Sequence, residues 1–357
     1  MKIGLIGLPY SGKTTIFEAI IKQEIDPGHP SLQKNKYIPY IVNIEDVRID
    51  YLNSIYQPKK KVPATIEFVD FMGIAEKADF KGFDTQLLTG FKLMDGFVMI
   101  LRGFSNDGQK IHPQRDMETL LAEFLISDQI IIENRLERLE GQLRKNPLQE
   151  LKDEQQALLR CLKNIEQSIP LRKVELSEYE LKLLKGFQFL TLKPMQIVIN
   201  ISDDEWQQKP EITSYIDAET LKEYPAFIVA GQIEKEITFM DENDRNLFLE
   251  EYAISEPVMQ RMIKSAFDLL DRICFFTVGE DEVRAWPIDR MNTAQKAAGA
   301  IHSDIERGFI RAEVVHYEDF IACGHSMVHA KEKGLWRLEG KEYLVKDGDI
   351  INFRFSV

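Results

Sequence analysis

Apolar positions along this chain change their period from one segment to the next, and each change predicts a different element. Residues 2–8 alternate and run into a glycine-containing turn, and residues 14–21 then take helical spacing, which predicts a strand, a loop and a helix. Residues 64–68, 97–101, 196–201 and 227–230 are short runs rich in Val, Ile and Phe. Such runs are expected of strands buried on both faces of a parallel sheet. Helical patterns lie between several of them, so the body reads as α/β.

The period changes again after residue 127. Ile132, Leu136, Leu139 and Leu143 are spaced by four, three and four residues, and Leu158, Leu162, Ile165 and Ile169 repeat that spacing beyond Asn146-Pro147. Two narrow apolar seams joined at a proline turn predict an antiparallel coiled-coil hairpin over residues 128–185, inserted into the α/β body. Ser177-Glu178-Tyr179-Glu180 is a capping box opening the helix that returns the chain to the sheet. Residues 273–278 and 283–288 then read as a hairpin and residues 293–305 as a helix. Residues 342–345 and the alternating Ile351, Phe353 and Phe355 read as closing strands, together a small β-grasp domain over 274–357. Residues 1–127 and 186–273 are left as one discontinuous body.

Composition narrows the class. At 357 residues, 44% hydrophobic and 29% charged, the chain is apolar enough to fold and long enough for two or three domains. No run approaches the roughly 18 apolar residues of a membrane span, and the amino terminus does not read as a secretory signal. Cys161, Cys274 and Cys323 are odd in number and far apart, as expected in the reducing cytoplasm. A net charge of −13 repels polyanions, so general nucleic-acid binding is not expected.

The chemistry concentrates in three motifs. Gly7-Leu8-Pro9-Tyr10-Ser11-Gly12-Lys13-Thr14 is a complete G-x-x-x-x-G-K-[ST] loop between a predicted strand and a predicted helix. Its glycines let Tyr10, Ser11 and Gly12 turn their amides toward a phosphate, and the helix starting through Thr15 adds positive potential. Lys13 would reach the β and γ phosphates and Thr14 would offer its hydroxyl to Mg²⁺. Asp70-Phe71-Met72-Gly73 closes the next long strand, where Asp70 can hold Mg²⁺ and the Gly73 amide can sense the γ phosphate. Asn200-Ile201-Ser202-Asp203 follows a later strand, where guanine-reading P-loop proteins carry Asn-Lys-x-Asp; Ile201 replaces the lysine, and Asp203 retains a carboxylate for the base. Cys323, His325 and His329 lack an evident fourth ligand for zinc.

With these motifs in place, the chain resembles the Obg-like ATPase family, also called YchF, a branch of the translation-factor class of P-loop GTPase-like proteins. The resemblance is carried by the Gly7 loop, Asp46-Val47-Arg48, residues 62–70, the Asn200 motif, and residues 276–279, 282–286, 297–302, 307–313 and 339–343. It implies a nucleotide domain, an inserted helical hairpin and a terminal TGS domain of β-grasp form. It also implies slow, Mg²⁺-dependent hydrolysis of ATP as well as or better than GTP, and association with ribosomes. Ile74 stands where a glutamine would orient water. The sequence departs from the family pattern at residues 29–40, which lack the first-switch threonine, and at residues 75–81, where a glycine-rich second switch is expected. Asp203 replaces a usual glutamate, and Ala230-Gly231-Gln232 replaces a Ser-Ala-Lys type loop near the base. GTP hydrolysis through Asp203, and nucleotide-gated binding with negligible turnover, stay open beside the ATPase reading.

Overall fold

A computed structural model of the chain describes residues 1–25, 37–71, 82–105, 111–252, 254 and 257–356. Gly73 and Ile74, residues 29–36 and residues 75–81 lie outside the described residues. The chain divides into two compact units, Met1–Tyr40 with Glu67–Met262, and Ile41–Ile66 with Ile263–Val357.

In chain order the first unit begins with β1 (Lys2–Ile6), α1 (Lys13–Ile21) and β2 (Tyr37–Asn43), the last running on into the second unit. After residues 41–66 it continues through β4 (Thr65–Phe71), α3 (Thr85–Lys92), β5 (Gly96–Arg102), α4 (Pro113–Lys145), α5 (Gln149–Ile165) and α6 (Glu178–Leu184). It ends with β6 (Met195–Asn200), α7 (Asp203–Gln207), α8 (Ala218–Glu223), β7 (Ala226–Val229), α9 (Gly231–Phe239), α10 (Glu242–Glu251) and the start of α11 (Val258–Leu269). The strands form one sheet in the order β2-β4-β1-β5-β6-β7. β1 pairs parallel with β4 and β5, β5 with β6, and β6 with β7. Every residue of β6 is buried, the reason its sequence shows no alternation. Below the sheet, Phe91 meets Phe71, Phe83 and Phe97 edge to face at 4.7, 4.9 and 5.7 Å between ring centres. That geometry suits the quadrupoles of the rings.

The hairpin grows out of this core. α4 is a 33-residue helix whose first half buries Met117, Leu120 and Phe124 against the sheet. Its second half buries Ile132 and Leu139 against Leu158, Cys161 and Ile165 of α5, the seam expected from the spacing. The helix therefore starts at Pro113, before the hairpin, since one apolar stripe serves both cores. Asp128 sits where they meet, accepting from Leu190 N (2.9 Å), Thr191 N (2.8 Å) and Thr191 Oγ1 (2.7 Å). Its burial outweighs these donors and pushes its carboxyl up to about 6. The capping box at Ser177 and Glu180 forms as read.

The second unit holds α2 (Val47–Tyr56), β3 (Lys60–Val62), β8 (Arg272–Val278), β9 (Glu282–Asp289), α12 (Ala294–Ile301), α13 (Ser303–Arg307) and β10 (Phe309–His316). α14 (Tyr317–Ala322), α15 (Met327–Glu332), β11 (Arg337–Glu339) and β12 (Asp349–Phe355) complete it. Its sheet runs β11-β10-β12-β8-β9-β3, with β8 and β9 an antiparallel hairpin and β12 parallel to β8. Ala294, Ala297 and Ala298 of α12 pack on Phe275, Val314 and Phe353. Small residues let the helix lie close across the sheet, the β-grasp arrangement.

Some expected elements differ. Residues 342–345 form no strand: buried Asp349 accepts from Lys346 N (2.9 Å) and Tyr343 Oη (2.8 Å), curling the segment, and only Leu344 makes a bridge, to Thr293. β10 takes the place beside β12 instead. The helix expected over 293–305 is two helices, broken at His302, whose Nδ1 accepts from Asp304 N at 3.1 Å. Residues 41–66, read from sequence as part of the α/β body, contribute α2 and the edge strand β3, paired parallel with β9. The three cysteines are free and buried. Among the described residues no helix is long and apolar enough to cross a membrane.

Candidate functional site

The site is built where β1, β4 and β6 end. Past Ile6 the chain turns at Gly7, where a Cβ would stand 2.5 Å from the Ile100 carbonyl oxygen and 2.6 Å from Ser11 Oγ. Only glycine fits so close a backbone. Tyr10 (φ 63°) and Gly12 (φ 80°) both take the left-handed conformation, and Ser11 N bonds Leu8 O at 3.2 Å. The Tyr10 side chain stays 62% exposed. Gly12 then starts α1, with Thr14 and Thr15 half-buried in its first turn.

Lys13 is buried and turns inward, ion-paired with Asp70 Oδ1 and donating to the Phe71 carbonyl at 2.8 Å. Asp70 is fully buried and lies opposite Leu5 in the parallel pairing of β1 and β4. Two oxygens here, Asp70 Oδ2 and Ser11 Oγ, are buried without a hydrogen-bond partner among the described residues. Native interiors leave few such groups, and each calls for an explanation. A ligand that brings donors and a cation supplies one, and hydroxyl plus carboxylate oxygens are the donors a hard divalent cation takes. The residues present therefore fit a phosphate with Mg²⁺.

Asn200, at the end of β6, fastens the loop from the side. Its Nδ2 donates to Ser11 O at 3.0 Å and its Oδ1 accepts from Gly231 N at 3.0 Å, joining the loop to the start of α9. The fit leaves no space for other residues: a Cβ on Gly12 would lie 2.0 Å from Asn200 Nδ2, and one on Gly231 2.8 Å from Asn200 Oδ1. Ile201 is buried in the core with Ile197 and Ile199, so its side chain lies in the core. Ser202 caps α7 in a box with Glu205, which sets Asp203 as the first residue of that helix. Burial raises the Asp203 carboxyl above its ordinary value, with Glu236 and Asp204 adding repulsion.

Two bonded sets thus form at the loop, Lys13 with Asp70 and Asn200 with Ser11 and Gly231, while Gly7 and Gly12 let the backbone approach closely. Gly73 lies outside the described residues. Two walls of the site, the Phe71 and Ile100 carbonyls, were invisible to sequence because backbone atoms carry no residue signature. His325 Nε2 meets Tyr51 Oη at 2.7 Å, and among the described residues no group of three His, Cys, Asp or Glu is arranged to hold a metal ion.

The chain is 37% identical over 366 residues to a protein of Bacillus subtilis (strain 168) named ribosome-binding ATPase YchF, covering 99% of each. The chain belongs to the YchF family. A Pasteurella multocida protein of the same name is 34% identical, covering 100% of this chain and 99% of that one. The family model YchF-GTPase_C, described as a protein of unknown function, matches residues 272–356. The solved Schizosaccharomyces pombe YchF GTPase is 25% identical with a TM-score of 0.85, covering 99% of this chain and 97% of that one. The P-loop NTPase fold with its helical hairpin and terminal β-grasp domain is therefore that of YchF.

Proposed function

We propose that this YchF chain is a slow, Mg²⁺-dependent nucleoside triphosphatase acting on ATP in the cytosol, and that it associates with ribosomes. The names of its relatives support the activity and the partner. The observation that carries the reading is the pair of buried oxygens, Asp70 Oδ2 and Ser11 Oγ, that find no partner among the described residues, beside the buried ammonium of Lys13.

In this reading Lys13 exchanges Asp70 for the β and γ phosphates, and the amides of residues 7–15 at the amino end of α1 bind the remaining phosphate charge. Thr14 and Asp70 would hold Mg²⁺, which when bound neutralises charge on the phosphate oxygens. Asn200 keeps the loop in shape by bonding Ser11 and Gly231, so less order has to be gained on binding. The Gly73 amide senses the γ phosphate. Ile74 has no group to orient water, so turnover rests on positioning and charge, and is slow. Asp203 accepts from an N–H of the base, with Gly231 alongside.

Adenine and guanine both present N–H donors to a carboxylate. The loss of the stacking lysine at Ile201, now in the core, favours ATP. The retained Asp203 favours a second reading, GTP hydrolysis. Titration of nucleotide-free protein with non-hydrolysable ATP and GTP analogues, with and without Mg²⁺, separates them. A tenfold preference for ATP, about 1.4 kcal/mol, is expected; the same preference for GTP makes the second reading the correct one. Binding of neither overturns both. Tight binding without phosphate release from ATP or GTP would leave a nucleotide-gated binding module. Co-sedimentation with ribosomes, with and without nucleotide, tests the partner.

A further inference from the structure

A continuous set of bonded groups leads away from the phosphate-binding loop. Ser11 O is held by Asn200, whose other atom holds Gly231 N, the first residue of α9. α9 is also tied to α1, the helix that continues the loop: Lys235 Nζ lies 2.9 Å from Glu18 Oε2, and Thr238 Oγ1, which donates to Glu234 O at 2.9 Å, lies 3.4 Å from Ala19 O. The α9 helix is thus bonded both to the loop and to the helix behind it.

Glu234, one turn into α9, plays no part in the phosphate site. Its residue is 2% exposed, yet its carboxylate accepts from Val258 N at 2.8 Å and Met259 N at 3.4 Å. Those are the first N–H groups of α11, which have no partner inside the helix, and a carboxylate there also meets the positive end of the helix dipole. A second bond reaches α11 from the same strand as Asn200. Gln196 and Asn200 lie four apart on β6 and so share a face, and Gln196 Nε2 donates to Met262 O at 3.2 Å. Met262 is the last residue of the first unit and Ile263 the first of the returning second unit, so α11 is where the chain passes from one to the other.

We infer that Glu234 couples nucleotide occupancy of the phosphate-binding loop to the amino-terminal turn of α11, making the connecting helix responsive to the bound nucleotide. The carboxylate is a positioning group: it touches neither substrate nor metal. Ordering the loop around a phosphate fixes Asn200 and α1, these hold α9, and Glu234 holds the free N–H groups of α11. The coupling rests on the nucleotide reading above. Linkage requires it to act equally in both directions, so an intact α11 cap strengthens nucleotide binding by the same factor that nucleotide strengthens the cap.

The test is amide hydrogen exchange of residues 258–269 in the full chain, free and with Mg²⁺ plus a non-hydrolysable ATP analogue. Binding is titrated on the same samples, and residues 149–165 of the hairpin serve as the internal reference. In the wild type, nucleotide should slow exchange in α11 at least threefold relative to that reference. Glu234→Ala should abolish the nucleotide dependence in α11 and weaken analogue binding by a matching factor. Glu234→Gln keeps the shape and one acceptor, so it should retain part of the effect and serves if the alanine variant does not fold. A wild type that binds the analogue with no change in α11 overturns the inference and leaves the nucleotide reading standing. So does a Glu234→Gln or Glu234→Ala protein with full nucleotide dependence. A wild type that binds no analogue overturns both.

Discussion

Removing Asn200 is the most direct trial of how the loop is held. The residue is 5% exposed and makes two hydrogen bonds of 3.0 Å, to Ser11 O and from Gly231 N. In Asn200→Ala both backbone groups lose their partner in a buried place, and each such loss costs about 1–3 kcal/mol. With partial entry of water the sum is about 3 kcal/mol. That should speed opening of the first unit roughly a hundredfold, at 1.4 kcal/mol per tenfold. Exchange of the buried β5 and β6 amides reads this for the first unit alone. Asn200→Asp separates the two bonds: it still accepts from Gly231 N, but sets a carboxylate oxygen against the Ser11 carbonyl. Its damage should therefore fall on the loop, with nucleotide affinity reduced at least tenfold and α9 amides less disturbed than in the alanine variant. An alanine variant with β5 and β6 exchange within about twofold of wild type, and with an unchanged nucleotide titration, would refute the reasoning.

Lys13 and Asp70 should prove energetically coupled in the nucleotide-free protein. Lys13→Ala leaves a fully buried carboxylate without its cation and should cost about 3–5 kcal/mol, whereas adding Asp70→Asn should recover part of that; additive losses in a double-mutant cycle would show that the pair does not form. Gly12→Ala must carry a side chain at φ 80°, and its Cβ would meet Asn200 Nδ2 at 2.0 Å. It should cost at least about 1–2 kcal/mol and weaken nucleotide binding, and combining it with Asn200→Ala should be less than additive. The Asp128 carboxyl is raised by burial to about 6 from an ordinary 3.8. The native state therefore binds more protons than the unfolded one between about pH 4 and 6, so this group makes stability fall as pH rises through that window, by up to about 3 kcal/mol. Exchange or urea unfolding at pH 4.5 and 7 should show the fall in wild type and its loss in Asp128→Asn; equal slopes in the two would rule Asp128 out as the source.

Much of this protein was written locally. Although the backbone that crowds Gly7, the Ile100 carbonyl, comes from far along the chain, the phosphate loop was legible because its glycine, lysine and threonine spacing is a local pattern and Gly12 answers to its own positive φ. The hairpin seam and the Ser177 capping box were legible for the same reason, since helical neighbours lie three and four residues apart. The core strands β5 and β6 announced themselves through continuous apolar runs. What sequence left undecided depends on partners far away in the chain. β3, Lys-Lys-Val, has no strand pattern and exists because β9 offers it an edge, while residues 342–345 look like a strand but lose that geometry to Asp349. Lys13 finds Asp70 across 57 positions, Asn200 joins two loops, Ile201 turns into the core, and Glu234 reaches α11. Local sequence determined which segments could be helix, strand or phosphate loop, because those preferences are set by neighbouring residues. Only the tertiary structure decided which polar groups meet, because desolvation makes a buried partner matter wherever in the chain it comes from.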